Sequence, residues 1–211
     1  LVGENGAGKS TLMNVLSGIY PYGSYEGDII YDGEICKFSK IKDSEEKGIV
    51  IIHQELALIP YMSIGENMFL GNERGKKFAI NWNDTYGEAE KYMRTVGLKE
   101  SSRTLIKDIG TGKQQLVEIA KALAKHAKLL ILDEPTRGID IGTKTEIQKL
   151  VLDLADQGMA VTFISSEVEE MLRTCSRMGV LRDGKKVGEI SGDQLTQEGV
   201  MKAIAGGDSN E

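Results

Sequence analysis

The stretch Gly3-Glu4-Asn5-Gly6-Ala7-Gly8-Lys9-Ser10 decides the fold. It fits the spacing G-x-x-x-x-G-K-[ST], with the apolar end of a strand before it and a helix-forming run after it, which is the context the motif requires. Glycines let the backbone wrap closely around phosphate oxygens with its N–H groups turned inward, and a helix N-terminus adds partial positive charge. In that arrangement the Lys9 ammonium neutralises β- and γ-phosphate oxygens and the Ser10 hydroxyl ligates Mg²⁺. Gly3, Glu4, Asn5, Gly6, Ala7, Gly8 and Thr11 complete the cradle. A Gly-rich turn ahead of a helix is the bland alternative, and the flanking elements argue against it.

Far along the chain, Leu129-Leu130-Ile131-Leu132-Asp133-Glu134 supplies a matching half. An apolar strand delivers two carboxylates to its C-terminal end, where ligands bind in open α/β sheets. Asp133 is placed to hold magnesium, directly or through water, and Glu134 to polarise an attacking water. An acidic pair after a strand also serves as a helix cap, so the pair gains weight from the phosphate loop it accompanies.

Between and beyond these motifs, β-rich runs alternate with helical patterns, which predicts an α/β fold with a largely parallel sheet. Strands are expected at 28–31, 49–52, 129–132, 160–164 and 178–181. The runs 49–52 and 129–132 are apolar at every position, as strands covered on both faces should be. Helices are expected at 9–17, 84–96, 114–127 and 143–155, the last with Ile147, Leu150, Val151 and Leu154 on one face. Asp32-Gly33 and Asp183-Gly184 read as hairpin turns. Residues 71–84 read as a surface connection leading into a helical subdomain, and 206–211 as a frayed tail.

With 211 residues and 40% hydrophobic content, the chain can bury one sizeable core. No apolar run approaches the roughly 18 residues that cross a bilayer. A formal net charge of −6 without a Lys/Arg block gives no electrostatic footprint for nucleic acid. Cys36 and Cys175 have neither metal-ligand spacing nor a disulfide framework around them. A phosphate loop normally follows a complete strand, so the opening Leu1-Val2-Gly3 leads us to expect that preceding strand residues are cut away.

Residues 3–16, 49–70, 114–136 and 163–184 together resemble the ATP-binding cassette ATPases, in particular the monosaccharide-importer class of the xylose and multiple-sugar transporters. The resemblance implies one P-loop NTPase domain over 1–211, with a mostly parallel sheet, a helical signature subdomain at about 71–127 and a partial antiparallel β-subdomain. It implies ATP and Mg²⁺ as cofactors, and hydrolysis that drives import of a xylose-, ribose- or galactose-like sugar. The implied partners are permease subunits, a sugar-binding protein reached through them, and a second cassette, at the cytoplasmic face of a bacterial plasma membrane. In His53-Gln54-Glu55-Leu56, Gln54 matches the family glutamine that contacts Mg²⁺ and the γ-phosphate. Asp140 resembles the residue that bridges two nucleotide sites in a head-to-tail dimer; without the resemblance it is a helix N-cap. His53 and His126 receive no role.

Three features depart from the family. The signature loop, usually Leu-Ser-Gly-Gly-Gln, reads Ile109-Gly110-Thr111-Gly112-Lys113, so its serine is absent and Thr111, Gly112 and the Lys113 charge stand in its place. Ser166 occupies the position of the switch histidine, and a hydroxyl is shorter than an imidazole and cannot hold positive charge, which predicts slow hydrolysis. Third, 3–135 resembles the first and 136–206 the second of the tandem cassettes usual in this class, so we expect a fusion at the shared text Asp133-Glu134-Pro135-Thr136. The family's adenine-stacking aromatic precedes the phosphate loop, so weak discrimination between ATP and GTP is expected of this chain. A cassette that binds ATP with little turnover is the alternative function; a GTPase or small-molecule kinase would need base-reading or lid motifs that the sequence does not display.

Overall fold

In the computed structural model, which describes residues 1–4, 6–76 and 79–205, strand β1 (Val2–Gly3) passes through the phosphate loop into helix α1 (Lys9–Leu16). Next come β2 (Ile29–Tyr31), β3 (Glu34–Cys36), α2 (Ile41–Glu46), β4 (Ile49–Ile52) and α3 (Ile64–Phe69). A short antiparallel pair, β5 (Gly75–Lys76) and β6 (Ala79–Ile80), precedes α4 (Trp82–Thr95) and α5 (Thr111–Ala124). The remainder alternates: β7 (Leu129–Asp133), α6 (Ile141–Asp156), β8 (Ala160–Ile164), α7 (Val168–Thr174), β9 (Arg177–Arg182), β10 (Lys185–Ser191) and α8 (Gln197–Ala205). The tail expected to fray, 206–211, lies outside the described residues, as do Lys77 and Phe78 within the expected surface connection.

Strands β4, β7 and β8 pair in parallel in that order, Ile49 opposite Leu129 and Leu129 opposite Ala160. A second group, β1-β9-β10, pairs β1 parallel and β10 antiparallel to β9. The Leu1 nitrogen donates to the Phe163 carbonyl at 2.7 Å, which sets β1 beside β8 and links the groups. The reason β4 and β7 are apolar throughout is visible in their alternation. Val50, Ile52, Leu130, Leu132 and Phe163 enter one core, with α5 and α6 residues such as Ile119 and Ile147. Ile49, Ile131 and Ile164 enter a second core on the other face, with Met13 of α1 and Phe38.

Both expected hairpin turns form, with Asp32 (φ 52°) and Gly33 (φ 77°), and Asp183 (φ 50°) and Gly184 (φ 73°), all left-handed as a type I′ turn requires. Both boundaries expected for the helix at 114–127 are corrected. Helix α5 starts at Thr111 rather than Gln114, because the extended Gly110 serves as N-cap and accepts from the Gln114 amide at 3.0 Å. It ends at Ala124, where His126 turns left-handed at φ 57°. Helices α3, α4 and α5 pack through Ile64, Met68, Ala89, Met93 and Val117, all continuous with the sheet core.

Candidate nucleotide site

Parallel strands that share a direction also share an end, and that end is where the candidate residues collect. Gly3 ends β1, Asp133 ends β7 opposite Ile164 at the end of β8, and Ile52 ends β4 opposite Leu132. The phosphate loop, the Asp133-Glu134 pair, Ser166 and Gln54 therefore follow neighbouring strands within two residues or fewer.

Gly6 (φ 85°) and Gly8 (φ 92°) bend the loop through backbone conformations that a side chain would resist. A Cβ on Gly3 would come within 2.3 Å of the Leu181 carbonyl oxygen, and one on Gly8 within 3.3 Å of Gly184 Cα, so the loop is pressed against the turn between β9 and β10. The Gly184 amide donates to the Ala7 carbonyl at 3.2 Å, holding that contact. Helix α1 starts at Lys9 with neither a side-chain cap nor an acidic residue in its first turn, which leaves its N-terminal amides and partial positive charge directed at the loop. The Lys9 ammonium folds over the loop and donates to the carbonyls of Gly3 at 2.7 Å and Glu4 at 3.1 Å. Ser10 and Thr11 are exposed beside it, and Asn5 lies outside the described residues.

Burial pushes the Asp133 carboxyl above its ordinary range, with the charges of His53 and Lys9 pulling the other way. His53 directly follows β4, whose last residue Ile52 pairs with Leu132 next to Asp133, a neighbourhood the sequence does not signal because 80 residues separate the two. Gln54 follows it and is exposed. Glu134 adopts φ 50°, left-handed for a residue with a Cβ, and its amide donates to the Ile164 carbonyl at 2.9 Å. Its Oε2 accepts from the Ser166 hydroxyl at 3.2 Å. The left-handed backbone just past β7 thus leaves the carboxylate within reach of Ser166, two residues past the end of β8.

These residues fit a nucleotide with magnesium. The donors are hard oxygens from a hydroxyl, one partly buried carboxylate and an amide, the set expected for an ion that takes most of its ligands from phosphate and water. Glycine-only space beside an ammonium and a bare helix N-terminus suits the phosphates.

Gly110, Thr111, Gly112 and Asp140 gather elsewhere. They line a surface cleft of about 550 Å³ with Gly138 and Thr143, and no described phosphate-loop residue lines it. Asp140 caps α6: its Oδ1 accepts from the Thr143 amide at 3.0 Å and its Oδ2 from the Thr143 hydroxyl at 2.8 Å, holding the carboxyl below its usual range. Gly112 sits so close to α6 that a Cβ would lie 2.4 Å from Thr143 Cγ2. Lys113 does not offer a free charge there, because its ammonium is paired with Glu100.

A family model described as ABC transporter matches residues 1–137. The L-arabinose transport ATP-binding protein AraG of Geobacillus stearothermophilus is 53% identical over 210 residues, 99% of this chain and 41% of that protein. The xylose import ATP-binding protein XylG of Moorella thermoacetica is 46% identical over 210 residues, 100% of this chain and 42% of that protein. The chain thus spans about two fifths of the length of these curated relatives. Among solved structures, an ATP-binding cassette of an ABC transporter superposes with a TM-score of 0.81 at 24% identity, covering 96% of this chain and 85% of that one. The cbiO1 protein from Clostridium perfringens, part of the ABC transporter complex cbiONQ, gives a TM-score of 0.74 at 23% identity, over 89% and 74% of the two chains. From its phosphate loop, its strand order and these relatives together, the chain belongs to the ABC transporter family.

Proposed function

We propose that this chain binds and hydrolyses Mg-ATP as the cassette of an importer for monosaccharides, with Gly3, Glu4, Asn5, Gly6, Ala7, Gly8, Lys9, Ser10 and Thr11 holding the triphosphate. The observation that carries this reading is the convergence of Lys9, Asp133, Glu134 and Ser166 at the shared end of β1, β7 and β8. Lys9 exchanges its contacts with the Gly3 and Glu4 carbonyls for phosphate oxygens. Ser10, Asp133 and Gln54 would hold the magnesium, which when bound neutralises charge on the phosphates. Glu134 orients water for attack on the γ-phosphorus, with Ser166 fixing its carboxylate, so catalysis is mainly positioning and charge neutralisation.

The cleft of Gly110, Thr111, Gly112 and Asp140 lies away from the phosphate loop and suits the nucleotide of a second cassette, docked head to tail. Residues 71–127 then form a helical subdomain within a single domain. Similarity to arabinose and xylose import proteins supports a sugar as cargo, with permease subunits and a sugar-binding protein as partners at the cytoplasmic face of the membrane. A second reading, a cassette that binds ATP with little turnover, is favoured by Ser166 in place of an imidazole and by the pairing of Lys113 with Glu100. Phosphate release measured with Mg-ATP separates the two. The first reading expects steady release that Lys9→Ala abolishes, whereas binding without release supports the second.

A further inference from the structure

Glu170, in the first turn of α7, is 4% exposed and therefore needs hydrogen-bond partners for its carboxylate. It has two: Oε2 accepts from the Ser165 hydroxyl at 2.6 Å and Oε1 from the Gln148 amide nitrogen at 3.0 Å. The same Ser165 oxygen, itself 1% exposed, accepts from the Glu167 backbone amide at 3.0 Å. The turn at 165–167 is thereby fastened from beneath. It is also fastened from the side, because Lys144 Nζ reaches Glu167 Oε1 at 2.5 Å. Lys144 and Gln148 are four residues apart on α6 and so share one face of it. Ser166 projects from the middle of this turn, and its hydroxyl donates to Glu134.

We propose that Glu170 is a positioning residue, which sets the Ser166–Glu134 pair by locking Ser165 and Glu167 against α6. The proposal rests on the ATPase reading for its catalytic consequence but on this chain's own hydrogen bonds for its geometry. Among the described residues the Glu170 carboxylate bonds Ser165 and Gln148 and neither the phosphate loop nor Glu134, so its effect passes through Ser166. Asp140, the N-cap of α6, lines the cleft, and the same helix therefore carries both the cleft's cap and the face that holds the turn.

The test uses the full chain with Glu170→Ala and, to guard against misfolding, Glu170→Gln, which keeps an acceptor for Gln148. Glu170→Ala is expected to lower kcat about tenfold, the scale of one lost positioning hydrogen bond, with KM for ATP within about twofold. Glu170→Gln should recover part of the loss. In a Ser166→Ala background, Glu170→Ala should cause no further fall in kcat, since the path it acts through is already gone. Amide hydrogen exchange at Glu167 should quicken in Glu170→Ala, while the Leu12 amide, bonded to the Gly8 carbonyl beside the phosphate loop, keeps its rate. A full loss persisting in the Ser166→Ala background, or unchanged exchange at Glu167, would overturn the proposal. Absence of turnover in the unmodified chain would instead count against the ATPase reading, and exchange at Glu167 then decides the positioning claim alone.

Discussion

Glu134 holds a left-handed backbone with its amide tied to the Ile164 carbonyl of β8, and its side chain meets Ser166. Removing its charge tests its role as the group behind the attacking water: Glu134→Gln should lower turnover by about 100-fold or more and leave ATP binding intact. Steady-state hydrolysis beside a binding titration checks both halves. Ser166 gives the opposite expectation. In its proposed place beside the γ-phosphate, a hydroxyl is shorter than an imidazole and holds no positive charge, so Ser166→His should raise turnover, and an unchanged or lower rate counts against the assignment. Asp133 carries a pH effect with a definite sign. Burial raises its folded pKa above the unfolded value, so ionisation costs stability at neutral pH, and that cost is relieved as pH falls through the folded pKa. Asp133→Asn should accordingly raise the melting temperature of the nucleotide-free protein while weakening magnesium-dependent binding; a lower melting temperature contradicts the burial argument. Lys9, Asp133 and Glu134 were legible from spacing alone, because each sits at a fixed offset from a strand or helix end. The Glu134–Ser166 contact was not, since 32 residues separate the partners and only the parallel register of β7 and β8 joins them.

At the scale of elements, the strands written most plainly in the sequence were those buried on two faces. Residues 49–52 form β4 as expected, and 129–132 extend by one residue into Asp133. Helices α2, α3 and α7 have six or seven residues, too few turns for an apolar period to register. Helix α3 still carried a local signal in Ser63 and Glu66, whose side chains cap each other's backbone amides, Glu66 accepting at 2.7 Å and Ser63 at 3.3 Å. The start of α5 was misplaced because Gly110 and Gly112 look like loop residues, whereas Gly112 is needed for the close approach of α5 to α6. Gly112→Ala should therefore destabilise the fold by about 1–3 kcal/mol through overpacking against Thr143, and Thr143→Ser should restore part of it by removing the opposing methyl. Denaturant melts of the single and double variants check this, and equal stability of Gly112→Ala and the parent would contradict it.

Taken as a whole molecule, the chain joins residues on either side of Asp133-Glu134-Pro135-Thr136 into one continuous core, with β7 paired to β4 on one edge and β8 on the other. The text at which a fusion of cassette halves is expected thus begins at the last residue of β7, Asp133, which keeps its register with Ile164 of β8. The cleft at Gly110 and Asp140 is lined by no described phosphate-loop residue, the separation that the head-to-tail pairing proposed above requires. Sequence alone could not show that separation, since it depends on where α5 and α6 begin in space. The most direct test of the account is a calorimetric titration of the folded chain with ATP, with and without Mg²⁺. Saturable, magnesium-dependent uptake that Lys9→Ala abolishes is the predicted result; no uptake by folded protein at about 1 mM ATP, the weak end of ordinary substrate affinities, would contradict it.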